Sequence, residues 1–192
     1  SAGRLSREMR KRWAATTAHS AWKCQWQVSP AQPLARPVEQ MELQEFPGGK
    51  WRERPPASWP AVPEFMDLSA LDKDAGGMAW VRGEIEVPVP MALELLLGTD
   101  GPCRIWVGDR IVATQATAGD AAVRDAYVFP VALPAGRQTI TVAFDRRGGK
   151  ARGFFLRFRR AGTPAASTRH DLPPVELPIV DPRQRRSHIG LF

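Results

Sequence analysis

The sequence has few of the residues that build metal centres and nucleophilic active sites. It contains two cysteines, Cys24 and Cys103, and three histidines, His19, His170 and His188. Two cysteines without a CxxC spacing do not make a zinc site, and the scattered histidines offer no metal-ligand spacing. The serines stand in no GxSxG motif, and neither a GxGxxG motif nor a P-loop is present. We therefore predict that the chain is not an enzyme and has no catalytic residue, metal or cofactor.

Long hydrophobic runs are also missing from the sequence. No apolar run approaches the roughly 20 residues that a membrane-spanning helix needs, so an integral membrane protein is not expected. The 192 residues suffice for one domain with terminal extensions, whereas a second independent core would be cramped. The compartment stays open, with an extracytoplasmic one, periplasmic or secreted, slightly favoured. In such a compartment Cys24 and Cys103 could form a single disulfide.

An excess of acidic residues is absent, and the net charge is +7. This charge is uneven along the chain, because residues 1–23 hold six Lys and Arg against the single acid Glu8. Residues 24–162 hold 17 basic against 16 acidic residues, and residues 163–192 hold four against three. A nucleic-acid-binding domain usually carries its basic patch on the fold itself, so nucleic acid is not the expected partner.

The basic N-terminal arm, residues 1–20, carries a narrow apolar stripe. Leu5, Met9 and Trp13 recur at positions i, i+4 and i+8, a spacing that predicts a short amphipathic helix. A helix of this kind packs on its own domain or on a partner protein, and a membrane surface is the alternative.

The C-terminal residues 163–192 are rich in proline and lack apolar alternation, which predicts an extended tail. Its last side chains include the apolar group Ile189, Leu191 and Phe192, which suits the groove of a partner protein. Neither extension can bury enough surface to order itself, so ordering either one requires contacts elsewhere.

Residues 21–162 are predicted to form the folded domain, an antiparallel β-sandwich. From residue 77 onward, short runs alternate apolar and polar side chains, as half-buried strands do. Turn signals separate these runs, among them Gly108-Asp109 and Pro134-Ala135-Gly136. Several short strands with turns between them are typical of sandwiches and barrels. The side chains predicted to face the core are Ile85, Leu95, Ile105, Val107, Ile140, Val142, Phe144, Leu156 and Phe158.

Three stretches share a recognisable arrangement of strands and turns: GTDGPCRIWVGDRIV (98–112), LPAGRQTITVAFDRRGG (133–149) and GFFLRF (153–158). With the segment from Trp26 to Pro30 as the opening strand, they resemble the galactose-binding-like β-sandwich domains, which are jelly rolls. Such domains occur as accessory modules in bacterial multidomain proteins, including glycoside hydrolases. The resemblance covers about residues 21–160.

The resemblance implies a carbohydrate-binding module whose ligand turns contain Asp100 and Asp109. The sequence departs from the family pattern in both turns. Thr99 stands where the family has the first Asp of an Asp-Asp-Gly turn, and Gly108-Asp109 stands where it has Asn-Gly.

Three aromatic side chains, Trp80, Trp106 and Phe155, lie opposite the aliphatic side chains of their strands, close to arginines such as Arg157. Aromatic rings beside polar groups are typical of a sugar-binding platform. They are equally typical of a second packing layer. Residues 29–66 contain eight prolines and little periodicity, which predicts a long, mostly extended crossing segment. We favour the interpretation that this segment and the terminal extensions cover the aromatic rings.

Two functions follow from these observations. The first, placed slightly ahead, is a non-catalytic structural or assembly subunit that docks on a larger protein complex through its N-terminal arm and C-terminal tail. Its candidate partner-binding residues are Leu5, Met9, Trp13, Ile189, Leu191 and Phe192. The second is a carbohydrate-binding accessory module, for which the candidate ligand-binding residues are Trp80, Asp100, Trp106, Asp109, Phe155 and Arg157.

Overall fold

The computed structural model describes residues 26–49, 52–54, 65–69, 71, 77–87 and 89–161. The predicted N-terminal helix and the predicted C-terminal tail lie outside these residues. In the described part of the chain, no helix is long and apolar enough to cross a membrane. The described strands, in chain order, are β1 (Trp26–Val28), β2 (Arg52–Arg54), β3 (Phe65–Asp67), β4 (Met78–Val87), β5 (Met91–Thr99), β6 (Cys103–Val107), β7 (Arg110–Gln115), β8 (Tyr127–Leu133), β9 (Gly136–Asp145) and β10 (Gly153–Arg160).

The strands form two sheets that enclose a common core. One sheet has the order β2-β1-β4-β9-β6-β7 and the other has the order β3-β10-β5-β8. The ladder between β4 and β9 runs from Met78 opposite Asp145 to Val87 opposite Gly136. All these strand pairs are antiparallel. The prediction of an antiparallel β-sandwich is therefore confirmed.

Alternate side chains of both sheets fill the space between them, as in other sandwiches. Eight of the nine side chains predicted to face the core are buried, whereas Phe158 is half-buried at its margin. Phe144 is fully buried, with its ring centroid 5.9 Å from that of Phe154. The two-residue period of the sequence thus correctly predicts which side chains of these strands face the core. Phe158 is less buried because it lies near the end of β10.

A second apolar layer lies on the outer face of the six-stranded sheet. Residues 34–46, here called the cover segment, cross this face and contain short 3₁₀ helices at Val38–Gln40 and Leu43–Glu45. Buried side chains of the cover segment, Met41 among them, pack with residues of β4, β6 and β9. Arg104 of β6 donates from Nη1 to the Met41 carbonyl at 2.7 Å, which ties the segment to the sheet. This part of the predicted crossing segment is therefore a packed layer.

The loop between β7 and β8, residues 116–126, is here called the strap, and its residues 123–125 lie on the outer face of the four-stranded sheet. A Cβ atom on Gly98 of β5 would come within 2.1 Å of the Val123 carbonyl oxygen, so strap and strand are in backbone contact. Arg157 of β10 donates from Nε to Asp125 Oδ1 at 2.8 Å. This bond fixes the end of the strap that leads into β8. Each sheet therefore has a segment of chain packed on its outer face.

Candidate functional site

The candidate site is a cleft at one end of the sandwich, and the first of its two walls is the turn between β6 and β7. Gly108 and Asp109 form this turn, and Val107 lies opposite Arg110 across it. Gly108 adopts a φ of 61°, in the left-handed region that glycine tolerates without strain. Its N–H donates to the Thr139 carbonyl of β9 at 2.8 Å, so the turn is fixed to the neighbouring strand.

The second wall is the turn between β8 and β9, formed by Pro134-Ala135-Gly136. Because β6 and β9 are neighbours in one sheet and β8 is an edge strand of the other, the two turns meet at the same end. They enclose a cleft of about 90 Å³. Its lining residues are Val107, Gly108, Asp109, Arg110, Val112, Ala132, Leu133, Pro134 and Gln138.

The cleft combines an apolar floor with a polar rim. Val107 and Leu133 are buried members of the core and form part of the floor. Asp109 and Arg110 are exposed at the rim, and Gln138 is half-buried there. Such a surface can contact CH groups of a ligand while a carboxylate, a guanidinium and an amide form hydrogen bonds with its hydroxyls.

One rim side chain, Arg110, forms a hydrogen bond with the backbone of β8, and a second, Gln138, lies near the turn at Gly108. Arg110 donates from Nη1 to the Ala132 carbonyl at 3.3 Å. This bond links β7, an edge strand of the six-stranded sheet, to β8, an edge strand of the four-stranded sheet. Gln138 Oε1 lies 3.7 Å from the position that a Cβ atom on Gly108 would take, so the amide lies over the turn. The rim thus has one carboxylate, one guanidinium and one amide.

The two tryptophans predicted as ligand contacts lie inside the second apolar layer. Trp80 and Trp106 stack with ring centroids 5.7 Å apart and an interplanar angle of 29°, and each is 1% exposed. Phe46 of the cover segment meets Trp80 edge-on at 5.6 Å. The interpretation that the proline-rich segment covers these two rings is confirmed, and neither ring presents a face to a ligand in this structure.

Phe155 and Arg157 lie on the outer face of the other sheet, on the opposite side of the sandwich from the stacked tryptophans. The Phe155 ring is half-buried, 4.9 Å from the Phe65 ring centroid and 5.7 Å from the Arg124 guanidinium carbon. Arg157 forms an ion pair with Asp125 of the strap. The three aromatic residues therefore do not form a common platform.

Asp100 is placed in the loop after β5 and is 5% exposed. Its Oδ2 accepts a hydrogen bond from the Arg152 N–H at 2.8 Å and its Oδ1 accepts one from the Gly153 N–H at 2.9 Å. Both carboxylate oxygens are thus used by the backbone that leads into β10. The structure therefore places Asp100 as a support of this connection, at the end of the sandwich remote from the cleft.

Cys103 is a buried free thiol. Burial raises its pKa to about 12, so the thiol stays protonated at neutral pH. Cys24 lies outside the described residues. Within the described ranges, no three His, Cys, Asp or Glu side chains are grouped so that they could hold a metal ion.

The six residues predicted to bind partner proteins also lie outside the described residues, and their role stays a prediction. They are Leu5, Met9, Trp13, Ile189, Leu191 and Phe192. Of the candidate ligand-binding residues, Asp109 alone lines the cleft.

Arg110, Pro134 and Gln138 were not predicted to bind a ligand. The two turns that form the walls were predicted as turns, because glycine and proline mark them. Their meeting depends on the order of strands in the two sheets, and that order cannot be deduced from the periodicity of each strand.

No family model matches the sequence, and no curated protein matches it. Similar solved structures include a β-glucosidase from Kluyveromyces marxianus, with a TM-score of 0.49 and 12% identity over 76% of this chain and 19% of that chain. An anti-sigma factor domain-containing protein from Clostridium clariflavum has a TM-score of 0.45 and 12% identity over 73% of this chain and 42% of that one. A PA14 sugar-binding domain from an RTX adhesin has a TM-score of 0.35 and 19% identity, covering 45% and 49%. The chain spans about a fifth of the length of the β-glucosidase.

Proposed function

We propose that this chain is a non-catalytic carbohydrate-binding accessory module of the galactose-binding-like, jelly-roll class, and that the cleft between the two turns holds the sugar. The observation that carries the proposal is the combination of an apolar floor and a hydrogen-bonding rim in one cleft. A pyranose presents CH groups on its faces and hydroxyls around its edge, so its recognition needs both kinds of contact.

The chemistry of the rim suits hydroxyl groups, which both donate and accept hydrogen bonds. The Asp109 carboxylate can only accept, the Arg110 guanidinium can only donate, and the Gln138 amide can do both. Because Arg110 already donates to the Ala132 carbonyl, less of its side-chain entropy is lost when a ligand binds.

The lining residues favour binding over hydrolysis. Glycoside hydrolysis by the usual mechanisms needs two carboxyl groups about 5 to 9.5 Å apart across the scissile bond. Asp109 supplies one carboxylate among the residues that line the cleft, and the other lining residues are basic, amide-bearing or apolar. A single carboxylate can orient a sugar hydroxyl but does not make the acid and nucleophile pair.

Substitutions at the rim test this function. Asp109→Ala and Gln138→Ala should each weaken glycan binding about tenfold, since a hydrogen bond to a charged or well-placed group contributes about 1.5 kcal/mol. Binding would be located on an array of neutral and acidic oligosaccharides and then measured by calorimetry. The matched control is Asp120→Ala, because Asp120 is exposed in the strap and does not line the cleft. If the unmodified chain binds no glycan, or if all three variants bind equally, the proposal is wrong.

Docking on a larger protein is the second candidate, and one described feature favours it. Val128, Pro130 and Ala132 alternate along the edge strand β8, and all three are exposed. Exposed apolar side chains in a row on an edge strand are typical of a surface that another protein covers. In this proposal the terminal extensions add the contacts that select the partner.

A further inference from the structure

In the part of the chain that the structure describes, the outer face of the four-stranded sheet is half covered. Residues 123–125 of the strap contact Gly98, Phe155 and Arg157 on this face. The other half, here called the open face, presents small or apolar exposed side chains: Ala92 of β5 and Val128, Pro130 and Ala132 of β8. Ala92 lies opposite Ala132, so the open face spans two neighbouring strands.

The charged side chains beside the open face are paired with each other. Arg159 of β10 donates from Nε to Glu94 Oε2 at 2.7 Å, and Glu94 lies opposite Pro130. Because these two charges cancel, the open face suits an uncharged apolar segment and offers a basic segment no net negative charge. The basic arm, which precedes β1 in the other sheet, does not fit this surface.

The chain leaves the sandwich at the edge of the open face. β10 ends at Arg160, and the Ala161 N–H donates to the Ala92 carbonyl at 3.3 Å. The residues that follow include LPPVELPIV (172–180), in which Glu176 is the one charged residue and the other eight are apolar. This segment lies outside the described residues. We propose that residues 172–180 bind back on the open face of their own chain.

The connection is long enough for this return. Residues 162–171 link Ala161 to the segment, and ten extended residues reach at most ~33 Å. Ala132 lies on the strand next to Ala92, and neighbouring strands are about 4.8 Å apart. Along β8 the open face runs from Val128 to Ala132, which is about 13 Å for a strand. Nine extended residues are therefore sufficient to cross it.

Prolines determine how the segment binds. Pro173, Pro174 and Pro178 lack the N–H group that a strand donates to its neighbour, and Pro130 of β8 lacks it as well. The segment therefore does not extend the sheet as a further strand at the β8 edge. It lies across the outer face and binds through apolar side chains, as the cover segment does on the six-stranded sheet.

The contact has a consequence for docking on a larger protein. A partner that covers Val128, Pro130 and Ala132 must first displace residues 172–180. Because the segment is tethered to the face, its effective concentration there is of millimolar order. The C-terminal residues thus compete with any weakly binding partner for this surface. This competition does not depend on the cleft or on its ligand.

A nitroxide spin label on the full chain tests the proposal. The label is attached through Glu176→Cys in a chain that also carries Cys24→Ser, and the remaining Cys103 is buried. The nitroxide broadens the ¹⁵N-detected amide signals close to it. We expect broadening at Ala92, Val128 and Ala132. The amide of Gln40, in the cover segment on the opposite side of the sandwich, should stay sharp.

A mixed sample separates binding within one chain from binding between two chains. ¹⁵N-labelled chain without the nitroxide is mixed with unlabelled chain that carries it. The amides of the open face should stay sharp in this mixture. Broadening there would show that the segment of a second copy occupies the face, and would overturn binding within the chain.

Two pairs of substitutions in the spin-labelled chain test which residues bind. Leu177→Asp with Ile179→Asp should abolish the broadening, because a carboxylate loses hydration against an apolar surface. The matched control is Ile189→Asp with Leu191→Asp, which makes the same changes outside the segment and should keep the broadening. If the amides of the open face stay sharp in the labelled chain, or if both pairs have the same effect, the proposal is wrong.

Discussion

Three aspartates in the turns and loops show how surroundings decide what one residue type does. Asp100 is buried, and both of its carboxylate oxygens accept backbone N–H groups. Asp125 lies in the strap with a φ of 58° and is paired with Arg157. Asp109 is exposed at the rim of the cleft. The sequence identified Asp100 and Asp109 equally as ligand-turn residues, because nothing in the sequence tells which carboxylate faces backbone amides and which faces solvent.

Substituting Asp100 should therefore affect stability and leave glycan binding intact. Asp100→Ala leaves the N–H groups of Arg152 and buried Gly153 without their acceptor, and we expect a loss of about 3 kcal/mol in the free energy of unfolding. Urea denaturation measures this loss. Asp109→Ala, at an exposed position, should change the same free energy by less than about 0.5 kcal/mol. Equal losses for the two variants would contradict the roles assigned to these residues.

The cover segment shows what alternation in a strand can and cannot reveal. The pattern placed Trp80 and Trp106 on the outer face of their strands, and that placement is correct. It could not show whether the outer face meets water or a second layer, because both faces of a covered strand can be apolar. The answer lies in residues 34–46, where Val38 and Met41 supply the covering side chains at irregular spacing.

Removing one covering side chain tests the packing of this layer. Met41 is 4% exposed, and Met41→Ala should lower the free energy of unfolding by about 2 to 4 kcal/mol through lost burial and a cavity. Gln40→Ala is the matched control, since Gln40 is exposed in the adjacent 3₁₀ helix. Chemical denaturation of both variants gives the comparison. A loss below 1 kcal/mol for Met41→Ala would mean that the cover segment contributes little to the fold.

At the scale of the whole molecule, the sequence predicts the architecture better than the site. Period-two alternation identifies the inward residues of β4, β6, β9 and β10, since each strand carries its own signal. Predicting a site that is built from two turns requires knowing which strands are neighbours in the sheets. That strand order depends on residues that are far apart in the sequence. Asp109 was therefore found and its partners Arg110 and Gln138 were not.

The terminal extensions are predicted to dock the whole molecule on a larger protein complex. Deleting residues 1–20 and 165–192 should leave a folded sandwich, since the described core lies within residues 26–161. Circular dichroism and urea denaturation check the fold of the truncated chain. If the extensions dock the chain on a larger complex, the truncated chain should sediment alone where the full chain sediments with its native partners. Should the truncated chain still join the complex, docking through the extensions is wrong.

The pairing of β4 with β9 has a consequence for how the chain is made. β4 ends at Val87, whereas β9 begins at Gly136, so the ribosome completes one strand well before it starts the other. At synthesis rates of about 5 to 20 residues per second, several seconds pass before β9 can pair. During this interval β4 offers an unpaired backbone edge to other nascent chains. Chaperones that shield extended apolar segments are therefore expected to contact the growing chain between these two points.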